Sequence, residues 1–415
     1  MFLEFRVENH RSLREEQAFS LVASNRLPPD DRIREVAGTD VKILPAAVIY
    51  GGNASGKSNV LSAMSYLRDA VVYSHRAWNP EGGVARMAFA WGDASNADSL
   101  YEITCVVEGT KYEYGFVVSD DCIEEEWITA WRGGREEHLL DRVKNQFTLG
   151  DRIGEQGKPI EEATRENALF LSTAAQFGHS ILRPLYQFFS KMIISDKSYN
   201  PMSGRLGSVP GFLFPSMSMP LPMAFEDGLA LKIRKLFVAA DIGVVDIKRE
   251  EIELKVGSRV LKDYRVMFQH QADDDNSWLE LAEESAGTRT LFRLAPNIFR
   301  TLDTGGVLIV DELEASLHPL IGLKILELFN CPVTNRHNAQ LIFTTHDTNL
   351  VGTTLGDPPL RRDQIWFTEK DTTGGTRLYP LTDYKPRNVE NLERGYLQGR
   401  FGAIPFLGNL VSATE

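Results

Sequence analysis

Apolar and polar residues alternate near the start of the chain and again around residue 100. Residues 2–8 show this alternation, and a second strand-like run surrounds residues 18–22, so the two runs predict an opening hairpin. Three further runs, at 99–107, 111–118 and 123–131, also have the character of strands. We therefore expect an antiparallel β subdomain early in the chain.

The helix period dominates three other parts of the chain, at residues 57–75, 160–195 and 226–240. Strand-like runs return between residues 242 and 260. Residues 200–223 are rich in proline, methionine, serine and glycine, which predicts a flexible insert. Its methionines could form an adaptable partner surface, or the insert is a mobile loop with no specific role.

Three continuous apolar runs, at residues 48–50, 307–310 and 341–343, lack this alternation. Runs of this kind predict strands that are buried on both faces of a parallel sheet. In open α/β sheets, ligands bind beyond the carboxyl ends of such strands. The residues that follow each run are therefore the first candidates for chemistry.

The first of these runs leads into G-x-x-x-x-G-K-S, a phosphate-binding loop that is followed by a helical pattern. Glycines let consecutive backbone N–H groups surround phosphates, and the helix N-terminus adds its positive dipole. We expect Lys57 to reach the β and γ phosphates and Ser58 to bind Mg²⁺. The full set of candidate ATP-binding residues here is Gly51, Asn53, Ala54, Ser55, Gly56, Lys57, Ser58 and Asn59. A chance match in a Gly/Ser-rich turn is the alternative, but the flanking strand and helix argue against it.

The second apolar run ends in Asp311 and Glu312. ATP hydrolysis requires a carboxylate that holds Mg²⁺ and a group that activates water. We assign Asp311 to the metal and Glu312 to the general base. The third run ends at His346, which could sense the γ phosphate or be structural.

The segment that begins at Ser285 precedes another helical pattern. Ser285, Gly287 and Thr288 resemble an S-x-G-T signature, which would place a second anion site at a helix N-terminus. Capping of the helix by Ser285 is the simpler interpretation.

Composition restricts the possible partners and compartment. The 415 residues are 43% hydrophobic and 25% charged, as in ordinary globular proteins, and the net charge of −12 disfavours nucleic-acid binding over the whole surface. Any nucleic-acid contact should be local or made through a partner. Three scattered cysteines predict neither a disulfide framework nor a zinc site. We find no apolar run of membrane-spanning length and no export signal, so we expect a cytoplasmic protein without membrane contact.

These motifs, in this order and spacing, resemble those of ATP-binding cassette (ABC) ATPases of the RecF/SMC/OLD type. Within that class, residues 5–13, 168–177 and 391–405 look like the AAA15 group, which includes the abortive-infection AbiL and RloA-like proteins. The resemblance implies an α/β fold: a P-loop ABC-type ATPase head with a mixed central sheet, an antiparallel β subdomain and a helical insert. It divides the chain into a first ATPase lobe (1–160), a helical and insert subdomain (161–260) and a second lobe (261–415).

The resemblance also implies that Mg-ATP lies between two chains, bound by the phosphate loop of one and the signature of the other. Residues 314–319 correspond to the D-loop, which crosses that interface. Gln176 is the candidate for a loop glutamine that contacts Mg²⁺, with an ordinary glutamine as the alternative. Arg11 is a further candidate for nucleotide contact.

Two functions from different classes follow. The first is an ATP-driven sensor or switch in antiphage defence, which controls a separately encoded effector that we expect to be a nuclease. The chain shows neither a Toprim nuclease nor the sustained heptads of a chromosome tether. The alternative is a RecF-like repair ATPase that clamps DNA directly, for which Lys232, Arg234 and Lys235 could line a groove or form a solvated helix face. A transporter subunit and a GTPase fit the sequence less well.

Overall fold

The structure is a computed structural model that describes residues 1–195, 228–240, 243–256, 259–272, 277–352, 356–384 and 391–405. The predicted insert at 200–223 lies outside these residues. The strands, in chain order, are β1 (Phe2–Glu8), β2 (Gln17–Ser20), β3 (Arg34–Glu35), β4 (Lys42–Ile43), β5 (Ala46–Gly51), β6 (Ser99–Val107), β7 (Thr110–Val118), β8 (Ile123–Arg132), β9 (Arg135–Val143), β10 (Gln146–Leu149), β11 (Ile193–Ser195), β12 (Val244–Val256), β13 (Arg259–His270), β14 (Trp278–Glu280), β15 (Val307–Val310), β16 (Gln340–Thr344), β17 (Ile365–Lys370) and β18 (Thr376–Pro380). The α-helices are α1 (Lys57–Ala77), α2 (Lys158–Ala163), α3 (Phe170–Gln176), α4 (Arg183–Ser190), α5 (Leu229–Ala239), α6 (Ala286–Thr304), α7 (Pro319–Asn330) and α8 (Leu392–Leu397).

A mixed six-stranded sheet forms the centre of the fold, in the order β11-β15-β16-β5-β17-β18. The first five strands run parallel, and β18 pairs antiparallel with β17. Every residue of β5, β15 and β16 is buried, which confirms the predicted strands with two covered faces. The carboxyl ends of five strands therefore meet at one edge of the sheet.

A second sheet is antiparallel throughout and has the order β10-β9-β8-β7-β6-β1-β2. It contains the predicted opening hairpin, β1 and β2, beside the predicted strands β6, β7 and β8. Strands β9 and β10, which extend this sheet, were not predicted. One core joins this sheet to α1, α3 and α4, with residues such as Phe5, Leu67, Tyr114 and Phe189 buried together.

The helical prediction for residues 160–195 is partly wrong. Three short helices, α2 to α4, occupy most of this stretch, but its end is the strand β11. Ile193 lies opposite Leu308 in a parallel ladder with β15. Residues 193–195 form a strand rather than a helix because they hydrogen-bond to β15 at the edge of the central sheet.

The remaining unit is a three-stranded antiparallel sheet, β12-β13-β14, covered by α5 and α6. The aromatic rings of Phe237, Phe268 and Phe292 meet in its core, with centroid distances of 5.3 to 6.2 Å. The predicted strands at 242–260 correspond to β12 and the start of β13. Within the described residues, no helix combines the length and apolar character that crossing a bilayer requires.

Candidate functional site

The phosphate loop connects the buried strand β5 to the N-terminus of α1. Lys57 is buried, and its Nζ donates to the carbonyl oxygens of Gly51 (2.8 Å) and Gly52 (3.1 Å). Gly56, with φ of 108°, ends the loop in a conformation that glycine adopts readily, and Ala54 has φ of 61°. The loop therefore curls around its own lysine.

Close packing around the loop also requires its glycines. A Cβ added at Gly51 would overlap Ser55 and Thr368, and one added at Gly56 would overlap Thr376. The phosphate loop is thus a tight cradle whose shape depends on β17 and β18, which carry Thr368 and Thr376.

Three hydroxyl residues that sequence reasoning missed hold the loop from outside. Thr376 Oγ1 donates to the Ser55 carbonyl (2.8 Å) and lies 2.7 Å from Ser12 Oγ, while Ser55 Oγ lies 2.7 Å from Thr368 Oγ1. Asn59 Nδ2 donates to Ser12 Oγ (2.5 Å). The contacts of Thr376 and Thr368 join residues more than 300 positions apart, so no local pattern could have revealed them.

Arg11 lies beside the loop because Ser12, its neighbour in the chain, contacts Asn59. Arg11 has φ of 50°, and its guanidinium lies 3.3 Å from the Met87 sulfur. Ser58 lies half-buried in the first turn of α1, and Asn53 is exposed. The structure thus brings the candidate residues of the loop and Arg11 to one place.

The acidic pair lies at the carboxyl end of β15, next to β16. Asp311 Oδ1 accepts a hydrogen bond from Thr344 Oγ1 (2.6 Å), and Thr344 Oγ1 accepts one from the Glu312 backbone N–H (2.8 Å). Glu312 has φ of 51° and an exposed side chain. One threonine therefore orients both residues of the pair.

The acids and Lys57 share one electrostatic environment. Burial lowers the pKa of the Lys57 ammonium, and the negative charges of Asp311, Glu312 and Glu314 partly oppose this shift. The acids that were predicted to hold Mg²⁺ and activate water thus lie close enough to Lys57 to interact with its charge.

His346 follows β16 at the same edge of the sheet. Its side chain is exposed, and its backbone N–H donates to Glu314 Oε1 (2.6 Å). The next residue, Asp347, accepts a hydrogen bond from the Tyr50 hydroxyl (2.8 Å). The loops after β15 and β16 are therefore tied to each other, and the loop after β16 is also tied to the end of β5.

The signature residues lie at the N-terminus of α6. Ser285 Oγ caps this helix, accepting from the Thr288 backbone N–H (3.0 Å), so the capping interpretation describes this chain. Ser285 is exposed, and a Cβ at Gly287 would lie 2.7 Å from the Ser316 carbonyl oxygen. The signature thus packs on the D-loop segment of its own chain.

Gln176 is a correction to the sequence analysis, because the structure does not bring it to the phosphate loop. It is exposed at the end of α3, one turn after Thr173, whose Oγ1 lies 3.0 Å from His75 Nδ1. His75 is eighteen residues after Lys57 on α1, about 27 Å along the helix axis. The carboxyl end of β11 lies beside the acids instead: the Ser195 carbonyl accepts from the Asp311 backbone N–H (3.4 Å).

The residues at this edge fit a nucleoside triphosphate with Mg²⁺. A closed glycine cradle, a buried lysine and a carboxylate beside it are the chemical requirements of such a site. The described residues contain no group of three His, Cys, Asp or Glu side chains that would bind a metal by themselves.

Fold and site together define a P-loop nucleotide-binding domain built on a mixed α/β sheet. The sequence comparison agrees: residues 46–352 match the family described as "AAA domain, putative AbiEii toxin, Type IV TA system", and the chain belongs to this family. No curated protein matches the chain significantly.

Solved structures that match the chain in a structural comparison include heads of SMC proteins. The SMC head domain from Thermotoga maritima is 11% identical with a TM-score of 0.40, and the match covers 91% of this chain and 98% of that one. An SMC head bound to the C-winged helix domain of ScpA has the same identity and TM-score, over 95% and 99% of the two chains. An SMC head with an extended coiled coil, bound to the C-terminal domain of ScpA derived from Pyrococcus furiosus, also scores 11% and 0.40, over 96% and 98%. These scores mark a distant likeness that says nothing about activity.

Proposed function

We propose that the chain is a Mg²⁺-dependent ATP hydrolase. The observation that carries this proposal is the convergence of Lys57, Asp311, Glu312 and His346 at the carboxyl edge of one parallel sheet. Open α/β sheets bind ligands at this edge, and phosphoryl transfer needs these residue types there.

Each residue then has a role in the reaction. Lys57 would leave the Gly51 and Gly52 carbonyls for the phosphates, and Ser58 and Asp311 would hold Mg²⁺, with Thr344 orienting Asp311. The metal, when bound, supplies positive charge that offsets charge developing on the phosphate oxygens. Glu312 would take the proton from the attacking water, and His346 would donate to the γ phosphate.

The second part of the proposal is a site completed by another copy of the chain. Ser285 is exposed, Gly287 half-buried and Thr288 buried at the start of a 19-residue helix. Such an N-terminus offers N–H groups and a positive dipole to an anion. Because these residues pack on their own D-loop segment, two chains arranged head to tail would each present a signature to the partner's phosphate loop.

The test is the solution mass of Glu312→Gln by light scattering, with and without Mg-ATP. This variant keeps the binding residues and lacks the base, so we expect it to bind ATP, to stall before hydrolysis and to form dimers or their multiples. Lys57→Ala is the control and should neither bind Mg-ATP tightly nor change mass. A monomer under every condition would refute the shared site, and normal turnover by Glu312→Gln would remove Glu312 from the role of base.

We further propose that this ATPase is a switch in antiphage defence that controls a separately encoded effector, with a nuclease as the expected class. The family's description as a putative toxin of a toxin–antitoxin system supports this role, as does the resemblance to the AAA15 group. In cells challenged with phage, the intact chain with its genomic neighbours should reduce plaque numbers, and Lys57→Ala should abolish that protection. Equal protection by the variant would refute a nucleotide-controlled switch.

The basic residues of α5 give little support to the alternative function, direct clamping of DNA. Lys232 is paired with Asp303 (2.6 Å) and Arg234 with Asp246 (2.7 Å), so two of the three candidate cations are already neutralised. DNA added to the light-scattering experiment would distinguish this alternative, because a clamp should bind DNA without an effector.

A further inference from the structure

The described end of the chain, residues 391–405, is a compact segment. It begins with α8, capped by Asn391, and then turns back through Gly399, Gly402 and Ala403, all with positive φ. A Cβ at Gly402 would lie 2.7 Å from the Tyr379 hydroxyl. The turns are therefore tight and bring the last residues back toward the central sheet.

Aromatic stacking fixes this C-terminal segment against the strands that surround the phosphate loop. The rings of Tyr396 and Phe401 stack on Phe367 of β17, with centroid distances of 5.5 and 6.1 Å. Tyr396 also lies 5.5 Å from Tyr50 of β5, and the Tyr379 hydroxyl donates to the Phe401 carbonyl (2.9 Å). Both tail rings are buried, so the segment is part of the core.

From this position the segment reaches the first two residues of the phosphate loop. The Tyr396 hydroxyl donates to the Ala403 carbonyl (3.2 Å). Ala403 is two residues before Pro405, so this bond helps to place Pro405. The Tyr396 ring lies 5.5 Å from the ring of Tyr50, whose next residue is Gly51. A Cβ at Gly52 would lie 3.1 Å from the Pro405 nitrogen. Gly51 and Gly52 are the residues whose carbonyls hold Lys57.

The other end of the segment reaches the loop that carries His346. Thr348 Oγ1 donates to Glu393 Oε1 (3.0 Å), and a Cβ at Gly352 would overlap the Glu393 carboxylate. Thr348 is two residues after His346, and Asp347 between them is bonded to Tyr50. One short segment thus supports the loops of two neighbouring strands, β5 and β16.

We propose that residues 391–405 are a positioning element of the ATP site, in which Tyr396 sets the phosphate loop and Glu393 sets the loop after β16. The inference rests on the proposed ATPase function. Tyr396 acts on Gly52 through Ala403 and Pro405, and Glu393 acts through Thr348. Both are therefore positioning residues rather than catalytic ones. Their loss should change affinity and turnover separately, because they support different loops.

The first test compares two Tyr→Phe variants. Tyr396→Phe keeps the stacked ring but loses the hydrogen bond to the Ala403 carbonyl, which helps to place Pro405 against Gly52. The Kd for an ATP analogue with a fluorescent ribose label should therefore rise about two- to tenfold. Tyr379→Phe removes a hydroxyl that holds the same segment at Phe401 without touching the phosphate loop, and its Kd should stay near that of the unmodified protein. Thermal unfolding of both variants checks that they remain folded.

The second test addresses the other loop. Thr348→Val removes the hydroxyl bonded to Glu393, and kcat should fall about two- to tenfold while KM for ATP stays unchanged. Leu397→Ala, an exposed position on α8, is the control and should change neither constant.

Three outcomes would overturn the inference. An unchanged Kd in Tyr396→Phe would show that the hydroxyl does not set the loop, and equal changes in both Tyr→Phe variants would indicate general stabilisation of the segment. Parallel changes of kcat and KM in Thr348→Val would contradict separate roles for the two ends. Failure of the unmodified protein to bind the analogue would instead refute the proposed function itself, and with it this inference.

Discussion

Lys57 carries its positive charge into a buried position where it is hydrogen-bonded to two backbone carbonyls. Burial lowers the pKa of the ammonium, and the nearby acids only partly oppose that effect. A buried cation bonded to neutral groups is costly, and an arriving anion would relieve this cost. The residue itself therefore favours a loop that is filled by phosphate.

His10 is a second buried ionisable residue near the loop, with a structural role. Its Nδ1 lies 2.8 Å from the Tyr101 hydroxyl and its Nε2 lies 3.1 Å from Ser62 Oγ. Burial, followed by the charge of Arg11, lowers its pKa to about 3. His10 is thus neutral in the folded protein and links the opening hairpin to α1 and β6.

The linkage of His10 predicts a loss of stability in mild acid. Because the folded protein binds fewer protons at this site than the unfolded chain, stability is retained above the unfolded pKa of 6.5 and falls as pH drops toward 3. Between pH 7 and pH 5 the free energy of unfolding should fall by about 2 kcal/mol from this residue. Urea unfolding at pH 7 and pH 5 measures this fall in the free energy of unfolding. In His10→Gln, the fall should be smaller by about the same 2 kcal/mol.

The free energy of unfolding of His10→Gln should still fall somewhat as pH drops, because burial also lowers the pKa values of His75 and His179. An equal slope in the variant and in the unmodified protein would contradict a neutral, buried His10.

At the scale of elements, a buried ion pair attaches α3 to the antiparallel sheet. Glu126 on β8 accepts hydrogen bonds from the backbone N–H groups of Phe170 (2.6 Å) and Leu171 (3.1 Å). Arg142 on β9 lies 3.4 Å from the same carboxylate and donates to the Ala168 carbonyl (2.6 Å). Both side chains are fully buried, so the pair fixes the start of α3 against the antiparallel sheet.

Removal of one partner of this ion pair should therefore destabilise the folded protein strongly. Glu126→Ala leaves the Arg142 charge buried and two N–H groups without their acceptor, so the free energy of unfolding should fall by about 3 to 5 kcal/mol. Glu125→Ala changes the preceding, exposed position on β8 and should stay within about 0.5 kcal/mol. Urea unfolding of both variants is the measurement, and equal stabilities would show that the pair does not hold α3.

The sequence predicted those strands whose pattern of apolar residues directly reflects burial in the fold. Strands β5, β15 and β16 were identifiable because residues covered on both faces are apolar without alternation. Strand β11 was missed because Ile193–Ser195 is too short to show a period, and its only mark is the ladder with β15. The polar pattern of Arg135–Val143 hid β9, which depends on β8 for its hydrogen bonds.

At the scale of the whole molecule, the site is assembled from distant parts of the chain. The motifs at 51–59 and 311–312 were readable because each is local and requires particular residue types. The residues that support these motifs, namely Ser12, Thr376 and 391–405, lie far from them in the chain. The sequence marked residues 391–405 by their resemblance to a known group, but it did not reveal their position beside Gly52. Contacts between residues that are far apart in the chain can be seen only in the folded structure.

The shared site predicts complementation between two inactive variants. Lys57→Ala removes the phosphate-loop lysine, and Ser285→Arg fills the signature that the partner's site requires, so neither variant should hydrolyse ATP alone. In a mixed head-to-tail dimer, one site combines both defects and the other has an intact lysine facing an intact signature. Neither variant completes a site with its own copies, so only mixed pairs hold ATP between two chains. Each mixed pair has one complete site of two, so at most about half of the original rate should return.

Steady-state hydrolysis on mixing the two purified variants measures this recovery, and the rate should rise with total concentration as dimers form. Lys57→Ala mixed with Glu312→Gln is the control, because both defects lie on the phosphate-loop side and the same recovery is impossible when each site needs both residues from one chain. Recovery in the control would show that Lys57 and Glu312 of different chains meet in one site. No recovery in the first mixture, with both variants folded and each inactive alone, would mean that the signature serves the site of its own chain or that the two sites must hydrolyse together. Activity of Ser285→Arg alone would show that each chain hydrolyses ATP without its partner's signature.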